Sequence, residues 1–164
     1  MYVYQGLFPI TGRNRFAKQS ARARLSSRYD DLAGTAKIAR EVATPIQIGE
    51  NFFGPRAMAE AIAAQAADYV MPDAGRIGGA TGWLRAAALA EGAGLEMSSH
   101  LYPEISCHLL PVTPTRHWLE YVDWARPILA DPPVVRDGHL RAPERPGTGI
   151  AWDEAAVARY EVEL

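Results

Sequence analysis

Strand-like and helix-like segments alternate along the middle of the 164-residue chain, and this alternation constrains the fold more than any other feature of the sequence. Strands that alternate with helices in this way form a parallel sheet with crossover helices, so the sequence predicts an α/β fold. The predicted strands are 45–50, 68–74, 95–100 and 117–123. The predicted helices are 30–43, 54–67, 78–94 and 103–113.

Composition and charge narrow the functional classes. With 48% apolar and 22% charged residues, the chain has the composition of a globular protein. Its net charge of -2 gives no reason to expect nucleic acid or an anionic membrane as a partner. Cys107 is the only cysteine and cannot form an internal disulfide, which suits a reducing compartment. No apolar run is long enough to span a membrane, and we therefore expect a cytoplasmic protein.

An ionisable residue stands at or near the C-terminal end of each predicted strand. These residues are Glu50, Asp73, His100 and Glu120. In parallel α/β structures, and above all in barrels, the C-terminal strand ends and their loops form the active face. Neighbouring strands lie about 4.8 Å apart, so Asp73 could hold His100 by a hydrogen bond. The pattern predicts a functional site at this edge of the sheet.

These residues also have a purely structural interpretation. An isolated histidine such as His100 is more often a structural residue than a catalyst. Acids at strand-to-helix turns, such as Glu50 and Asp73, commonly cap the helix that follows. One such residue would favour the structural interpretation, whereas four in equivalent positions favour a functional site.

Four longer motifs resemble the mandelate racemase/muconate lactonizing enzyme family of the enolase superfamily. They are "IQIGENFFGP", "MPDAGRIGGATGWLRAAALA", "MSSHLYPEISCHLL" and "TPTRHWLEYVDW". The resemblance runs from Tyr29 to the C-terminus and includes the tail "RPGTGIAWDEAAVARY". It implies an α/β fold that corresponds to the fifth to eighth strands of a TIM-type (β/α)7β barrel. We therefore expect an incomplete barrel that lacks the family's capping domain.

The resemblance also implies a role for each of the four residues. Glu50 matches the last of three carboxylates that bind Mg²⁺ in the family. Asp73 and His100 match a pair in which the histidine removes or returns the proton next to a substrate carboxylate. Glu120 matches an acid that hydrogen-bonds this carboxylate opposite the metal. The resemblance thus predicts His100, Asp73 and Glu120 as catalytic residues, Glu50 as a metal ligand and Mg²⁺ as the cofactor.

These residue types suit such chemistry. Removing a proton beside a carboxylate adds negative charge to an anion, so a divalent cation and a hydrogen-bond donor must receive it. Mg²⁺ takes oxygen ligands such as carboxylates. Histidine titrates near neutral pH, and a carboxylate on its other ring nitrogen fixes its tautomer and stabilises the imidazolium. Glu120 could donate a hydrogen bond only if protonated, which a site that disfavours its charge would promote.

The first residues of the chain depart from the family. An ungapped register places Arg24, Leu25 and Ser26 where the family has Glu-Glu-Pro, whose first Glu binds the metal. Residues 1–29 contain no acid, and their basic side chains are Arg13, Arg15, Lys18, Arg22, Arg24 and Arg28. The segment could be a basic arm for nucleic acid. We favour an unstructured or misread leader, such as a shifted reading frame would produce.

Other family features are also absent from the sequence. Lys18 and Lys37 are the only lysines, so there is no Lys-x-Lys pair to supply a second base. Two of the three Mg²⁺ carboxylates are missing as well. We therefore expect a racemase/epimerase or an acid-sugar dehydratase, which is a lyase, that needs the missing N-terminal half to act on a 2-hydroxy or sugar acid. The alternative is a non-catalytic half-barrel fragment or assembly piece.

The predicted organisation has three parts. They are an unmatched basic leader (1–28), half of a (β/α) barrel (29–125) and a C-terminal return segment (126–164). A half-barrel leaves two open sheet edges and exposes the inner face that the other half should bury. We therefore expect a homo-oligomer or a complementary barrel half as partner, and a small carboxylate as substrate, but neither nucleic acid nor a membrane.

Two remaining features have structural interpretations. Cys107 beside His108 could suggest a thiol protease, but adjacent residues of a helix point in different directions. We expect Cys107 in the core and His108 in an exposed or structural position. The tryptophans are too scattered to form a stacking platform and are predicted to serve packing; they are Trp83, Trp118, Trp124 and Trp152.

Overall fold

The computed structural model of the protein describes residues 7–9 and 30–162. Apart from 7–9, the predicted leader with Arg24, Leu25 and Ser26 lies outside the described residues. The helices are α1 (Leu32–Glu41), α2 (Pro55–Ala63), α3 (Gly79–Ala93), α4 (Pro103–Leu109) and α5 (Glu154–Arg159). The strands are β1 (Leu7–Pro9), β2 (Gln47–Ile48), β3 (Tyr69–Val70), β4 (Glu96–Met97), β5 (Trp118–Glu120), β6 (Val135–Arg136) and β7 (His139–Leu140). Two short 3₁₀ helices cover Leu110–Val112 and Arg126–Ile128.

The central sheet is parallel. Strands β2, β3 and β4 lie side by side in that order, with Ile48 beside Val70 and Val70 beside Met97. The β5 segment continues the sheet beyond β4, because a parallel bridge joins them and the Ser99 N–H donates to the Trp118 carbonyl oxygen at 2.9 Å. The predicted succession of parallel strands and crossover helices is therefore observed.

Helices α1 to α4 lie inside the segments that the sequence predicts, whereas α5 lies in the C-terminal segment, where no helix is predicted. Asp31 caps α1, because its carboxylate accepts the Gly34 N–H at 2.8 Å. Pro55 begins α2, where a proline loses no helical hydrogen bond. Gly94 ends α3 in the left-handed conformation that glycine adopts at little cost. The helix boundaries thus follow from residue types that can be recognised in the sequence.

The strand ladders are shorter than predicted. Each predicted strand holds a ladder of only two or three residues, after which the chain turns into the loop toward the next helix. After β2 the turn passes through Gly49, whose φ is 145°. A Cβ at Gly49 would lie 2.8 Å from the backbone of Met71, so only glycine allows this close approach. Beyond the β3–β4 ladder, an isolated parallel bridge joins Asp73 to His100 and holds these strand ends together.

The hydrophobic core lies between the sheet and the helices that cover it. Met58 of α2, Trp83 of α3 and Met97 of β4 are fully buried, and so is Leu110 after α4. The Trp83 indole N–H donates to the Thr113 hydroxyl at 2.9 Å, so its polar atom is satisfied inside the core. Burying a large apolar side chain contributes about 1.5–3 kcal/mol, and this packing fixes the helices against the sheet.

The segment after β5 folds back on itself. Strands β6 and β7 form an antiparallel hairpin, and α5 follows. The Ala130 N–H donates to the Ala151 carbonyl oxygen at 2.9 Å, which ties the start of this segment to its end. None of the helices in the described ranges is long and apolar enough to cross a membrane.

The tryptophans divide into two pairs. Trp83 and Trp118 are buried and confirm the prediction that they serve packing. Trp124 and Trp152 are 64% and 51% exposed, so the same prediction is wrong for them. Both lie after β5, where the chain runs over the surface instead of through the sheet.

Strand β1 is an element that the sequence does not predict. It pairs antiparallel with β5, so that Leu7 lies beside Glu120 and Pro9 beside Trp118. One edge of β5 faces β4, and β1 therefore takes the other edge. The short pairing closes that side of the sheet with a strand of opposite direction.

Candidate active site

The four ionisable residues predicted from the sequence come together where the central strands end. His100 is at the centre: Nδ1 lies 3.0 Å from Asp73 Oδ2, and Nε2 lies 3.3 Å from Glu50 Oε2. Glu120 is placed beside them by the residue after the histidine, because its Oε2 accepts the Leu101 N–H at 2.8 Å. The contact between Asp73 and His100 that strand spacing predicts is therefore observed, and Glu50 joins it.

Asp73 is fully engaged at both oxygens. Its Oδ2 faces His100, and its Oδ1 accepts the N–H groups of Gly75 and Arg76 at 2.8 and 2.9 Å. Its side chain is only 5% exposed. Helix α3 begins later, after Gly78, so Asp73 orders the turn before the helix and orients the imidazole at the same time. The capping interpretation is thus replaced by a double role at this turn.

Glu50 stands in a different environment. Its side chain is 51% exposed, and helix α2 has Gly54 as its N-cap, so Glu50 does not cap the helix. The Asn51 amide donates to Glu50 Oε1 at 3.4 Å, while Oε2 faces His100. The Glu50 carboxylate is therefore held at the solvent side of the imidazole.

Glu120 is buried, and the backbone near it is strained. Its own N–H donates to the Ser99 hydroxyl at 3.1 Å, and its carboxylate holds the Leu101 N–H. Leu101 and Tyr102 have φ values of 51° and 45°, a left-handed conformation that costs side-chain-bearing residues energy. The Ser106 hydroxyl donates to the Leu101 carbonyl oxygen at 3.0 Å. Contacts on both sides thus hold this turn directly after His100.

Burial and neighbouring charges shift three of the pKa values. Burial lowers the pKa of His100, but hydrogen bonds to Glu50 and Asp73 outweigh it, and the net pKa is raised above 6.5. The His100 contact lowers the pKa of Glu50. Burial raises the pKa of Glu120, and the Leu101 N–H only partly offsets it. The group therefore combines a histidine and a buried acid whose pKa values are raised with a carboxylate whose pKa is lowered.

Comparison with known proteins identifies the family to which this arrangement belongs. Residues 26–156 match the sequence profile of the family described as enolase C-terminal domain-like. The chain belongs to this family. Its resemblance to the mandelate racemase branch is confirmed, and the parallel sheet with its covering helices is part of a TIM-barrel-type α/β fold.

Relatives of this enolase C-terminal domain-like chain include solved structures with magnesium. An enolase from alphaproteobacterium bal199 with bound magnesium is 50% identical, with a TM-score of 0.79, over 82% of this chain and 37% of that chain. An enolase from Bradyrhizobium in complex with magnesium and mandelic acid is 49% identical, with a TM-score of 0.79, over 83% of this chain and 37% of that chain.

A curated relative is a dehydratase. The L-talarate/galactarate dehydratase of Salmonella typhimurium is 33% identical over 126 residues, which are 77% of this chain and 32% of that protein. The chain spans about a third of the length of the curated relatives it matches.

The described part of this enolase C-terminal domain-like chain does not form a complete metal site by itself. Within 7–9 and 30–162, no group of three or more His, Cys, Asp and Glu side chains could hold a metal ion. Glu50 has the oxygen donors that Mg²⁺ prefers and is half exposed, but it is a single carboxylate. The donor chemistry fits Mg²⁺, whereas the number of ligands does not.

Sequence reasoning missed the supporting residues of the site. Arg76, Asn51 and Ser99 all contact one of the four predicted residues or its backbone. They stand inside the motifs "GEN", "GRIGG" and "MSSH", so proximity in sequence to the predicted residues was the available signal. Which of these polar residues points back toward the site depends on the turn geometry, which spacing does not give.

The Cys107–His108 pair confirms its structural interpretation. Cys107 is buried, and burial raises the pKa of its thiol to about 11. The His108 Nε2 lies 2.9 Å from the Thr148 carbonyl oxygen, so this ring is tied to the C-terminal segment. A thiol nucleophile paired with a histidine base is not present here.

Proposed function

We propose that the chain supplies the acid–base part of an active site that removes the proton next to a substrate carboxylate. The reaction would be racemisation or dehydration of a 2-hydroxy acid or sugar acid. The observation that carries the proposal is His100, held between Asp73 and Glu50 at the C-terminal edge of a parallel sheet. Proton removal at such an edge needs a base whose ring orientation and tautomer are fixed, and Asp73 supports both.

The proposed base is His100. A carboxylate only accepts hydrogen bonds, so the Nδ1 beside Asp73 carries a proton and Nε2 is the atom left for the substrate. In the structure Glu50 lies 3.3 Å from Nε2. We propose that the substrate takes this place next to Nε2, and that Glu50 Oε2 then serves as a metal ligand while Asn51 continues to hold Oε1.

The proposed acid is Glu120. Its Oε2 accepts the Leu101 N–H, so a proton on Glu120 would sit on Oε1, which could then donate to the substrate. The raised pKa of Glu120 supports a protonated form. A donor aimed at the substrate carboxylate would stabilise the charge that develops when the neighbouring proton leaves.

The proposed cofactor is Mg²⁺, with Glu50 as one ligand. When bound, a divalent cation stabilises negative charge on carboxylate oxygens. The magnesium-bound relatives support this assignment. Since the described residues supply one carboxylate, we propose that the remaining ligands come from a complementary barrel half, or from another copy of the chain in a homo-oligomer. A cytoplasmic location suits the free thiol of Cys107.

A non-catalytic role is the second candidate. The incomplete ligand set favours it, because a half-barrel without tight Mg²⁺ binding would keep the motif and lack turnover. Activity with Mg²⁺ added, measured at concentrations at which the chain self-associates, separates an active homo-oligomer from a non-catalytic role.

The experiment is α-proton exchange in D₂O with Mg²⁺, followed by NMR on mandelate and galactarate. We expect exchange with the unchanged protein and a loss of about 10²- to 10⁴-fold in His100→Ala. His139→Ala is the matched control, because His139 is exposed and contacts only the hairpin carbonyl of Asp137 in the described contacts. Unchanged exchange in folded His100→Ala would refute His100 as the base, and no exchange in the self-associated unchanged protein would favour the non-catalytic role.

A further inference from the structure

Arg76 links the loop after β3 to the loop after β2. One guanidinium nitrogen, Nη1, donates to the Glu50 carbonyl oxygen at 2.8 Å and to Asn51 Oδ1 at 2.7 Å. The guanidinium carbon also lies 5.8 Å from the ring centroid of Phe53, within reach of a cation–π contact. Arg76 therefore contacts Glu50, Asn51 and Phe53, although its own side chain is solvent-exposed.

The backbone of Arg76 is held from both sides. Its N–H donates to Asp73 Oδ1 at 2.9 Å, and its carbonyl oxygen accepts the Gly54 N–H at 3.0 Å. A surface arginine usually loses much side-chain freedom for little gain when it forms a contact. Here several contacts share that cost, because the two hydrogen bonds and the Phe53 contact restrain the far end of the side chain while the backbone fixes its base. This arrangement makes Arg76 a rigid support rather than a mobile surface charge.

The contacts form a closed circuit around the candidate site. His100 contacts the Glu50 and Asp73 carboxylates, Asp73 holds the Arg76 N–H, and the Arg76 guanidinium returns to Glu50. Asn51 adds a second link, because its amide oxygen accepts from Arg76 while its amide N–H donates to Glu50 Oε1. Glu50 Oε1 is thus fixed through Asn51, which leaves Oε2 for His100.

We propose that Arg76 is a positioning residue that fixes Glu50 and thereby sets the environment of His100. Glu50 needs such support, because it is half exposed and does not cap a helix. The arrangement combines two hydrogen bonds from one nitrogen with a planar guanidinium over the Phe53 ring, and a lysine can supply the donors but not the planar group. The importance of Arg76 for catalysis rests on the proposed function, whereas its positioning of Glu50 does not.

The first test is spectroscopic. Imidazole ¹H–¹⁵N correlation spectra of the metal-free full chain, at one fixed pH, report the surroundings of His100. Glu50→Gln defines the signal of a weakened Glu50–His100 contact. We expect Arg76→Met to shift the His100 resonances in the same direction, by at least half as much, and Arg76→Lys to give a smaller shift. Unchanged His100 resonances in folded Arg76→Met would overturn the proposal.

Two controls keep this test decisive. Arg56→Met removes an exposed arginine whose described partner is Glu60 on the same helix, and it should leave the His100 resonances in place. If Arg76→Met does not fold, Asn51→Ala removes the link to Glu50 Oε1 together with one of the two Arg76 hydrogen bonds, and it should still shift the His100 resonances in the Glu50→Gln direction. An absence of that shift would count against the proposal in the same way.

The second test separates positioning from substrate binding. If α-proton exchange is observed, we expect Arg76→Met to lower the exchange rate at saturating substrate about tenfold, with KM within about twofold. A raised KM with an unchanged maximal rate would assign Arg76 to substrate binding and overturn the positioning role. Because the NMR result needs no turnover, failure of the proposed function and failure of this inference can be told apart.

Discussion

At the residue scale, two features of the environment of Glu120 favour different protonation states. A buried carboxylate that accepts the Leu101 N–H gains from being ionised, whereas burial raises its pKa and favours the neutral acid. The net shift is upward, so the ionised form lowers the stability of the fold. This cost is absent below the unfolded-state pKa and fully present above the folded-state pKa.

Glu120→Gln should therefore make the protein more stable above the folded-state pKa of Glu120. The amide oxygen of Gln can still accept the Leu101 N–H, while the charge is gone. Urea unfolding at pH 8 should give a higher free energy of unfolding than for the unchanged protein, and the difference should vanish at low pH. Glu91→Gln, on the exposed face of α3, is the control and should show no such pH-dependent gain. A loss of stability at pH 8 would contradict the prediction.

Cys107 should be nearly unreactive in the folded protein. With a pKa of about 11 against an ordinary 9.0, its thiolate fraction near pH 8 is roughly a hundredfold lower than that of a free thiol, and burial limits access further. We expect modification by Ellman's reagent to be at least about a hundredfold slower than in urea, as followed by absorbance. Equal rates in both conditions would show that the thiol is exposed.

At the element scale, alanine should have opposite effects on the free energy of unfolding at Gly49 and at Gly92. A Cβ at Gly49 would meet the Met71 backbone at 2.8 Å, and its φ of 145° is unfavourable for other residues. Gly49→Ala should lower the free energy of unfolding by about 2 kcal/mol or more. Gly92 lies in the last turns of α3 with open space around it. Gly92→Ala should therefore raise the free energy of unfolding by about 0.5–1 kcal/mol. Chemical denaturation of both variants measures this contrast, and similar effects would refute the close approach at Gly49.

The elements also show how far the sequence could predict the structure. Helix bounds followed from local signals such as Pro55 and Gly94, which act through the backbone of a single residue. The grouping of Asp73 with His100 followed from the regular spacing of parallel strands. The contacts of Arg76 could not be predicted, because they depend on two loops whose conformations are set by their neighbours. Strand β1 could not be predicted either, since its pairing joins residues that are more than a hundred positions apart.

At the scale of the whole molecule, the proposed association with a second copy or a barrel half follows from the exposed apolar surface. Trp124, Tyr160 and Val162 are 64%, 64% and 74% exposed, and in the described sheet β2 has a strand partner on one side only. Apolar surface and unpaired strand edges both favour association. We expect the mass from sedimentation equilibrium to rise above 17.9 kDa with concentration. A constant monomer mass up to high concentration would contradict self-association.

The antiparallel pairing of β1 with β5 has a consequence for assembly. A strand edge can accommodate one neighbour at a time, and the outer edge of β5 is taken by residues 7–9. A parallel strand that closes the sheet at this edge must therefore compete with β1 and displace it. Barrel completion would then be an exchange of one strand for another, and the affinity of any complementary half would be reduced by the free energy needed to release β1.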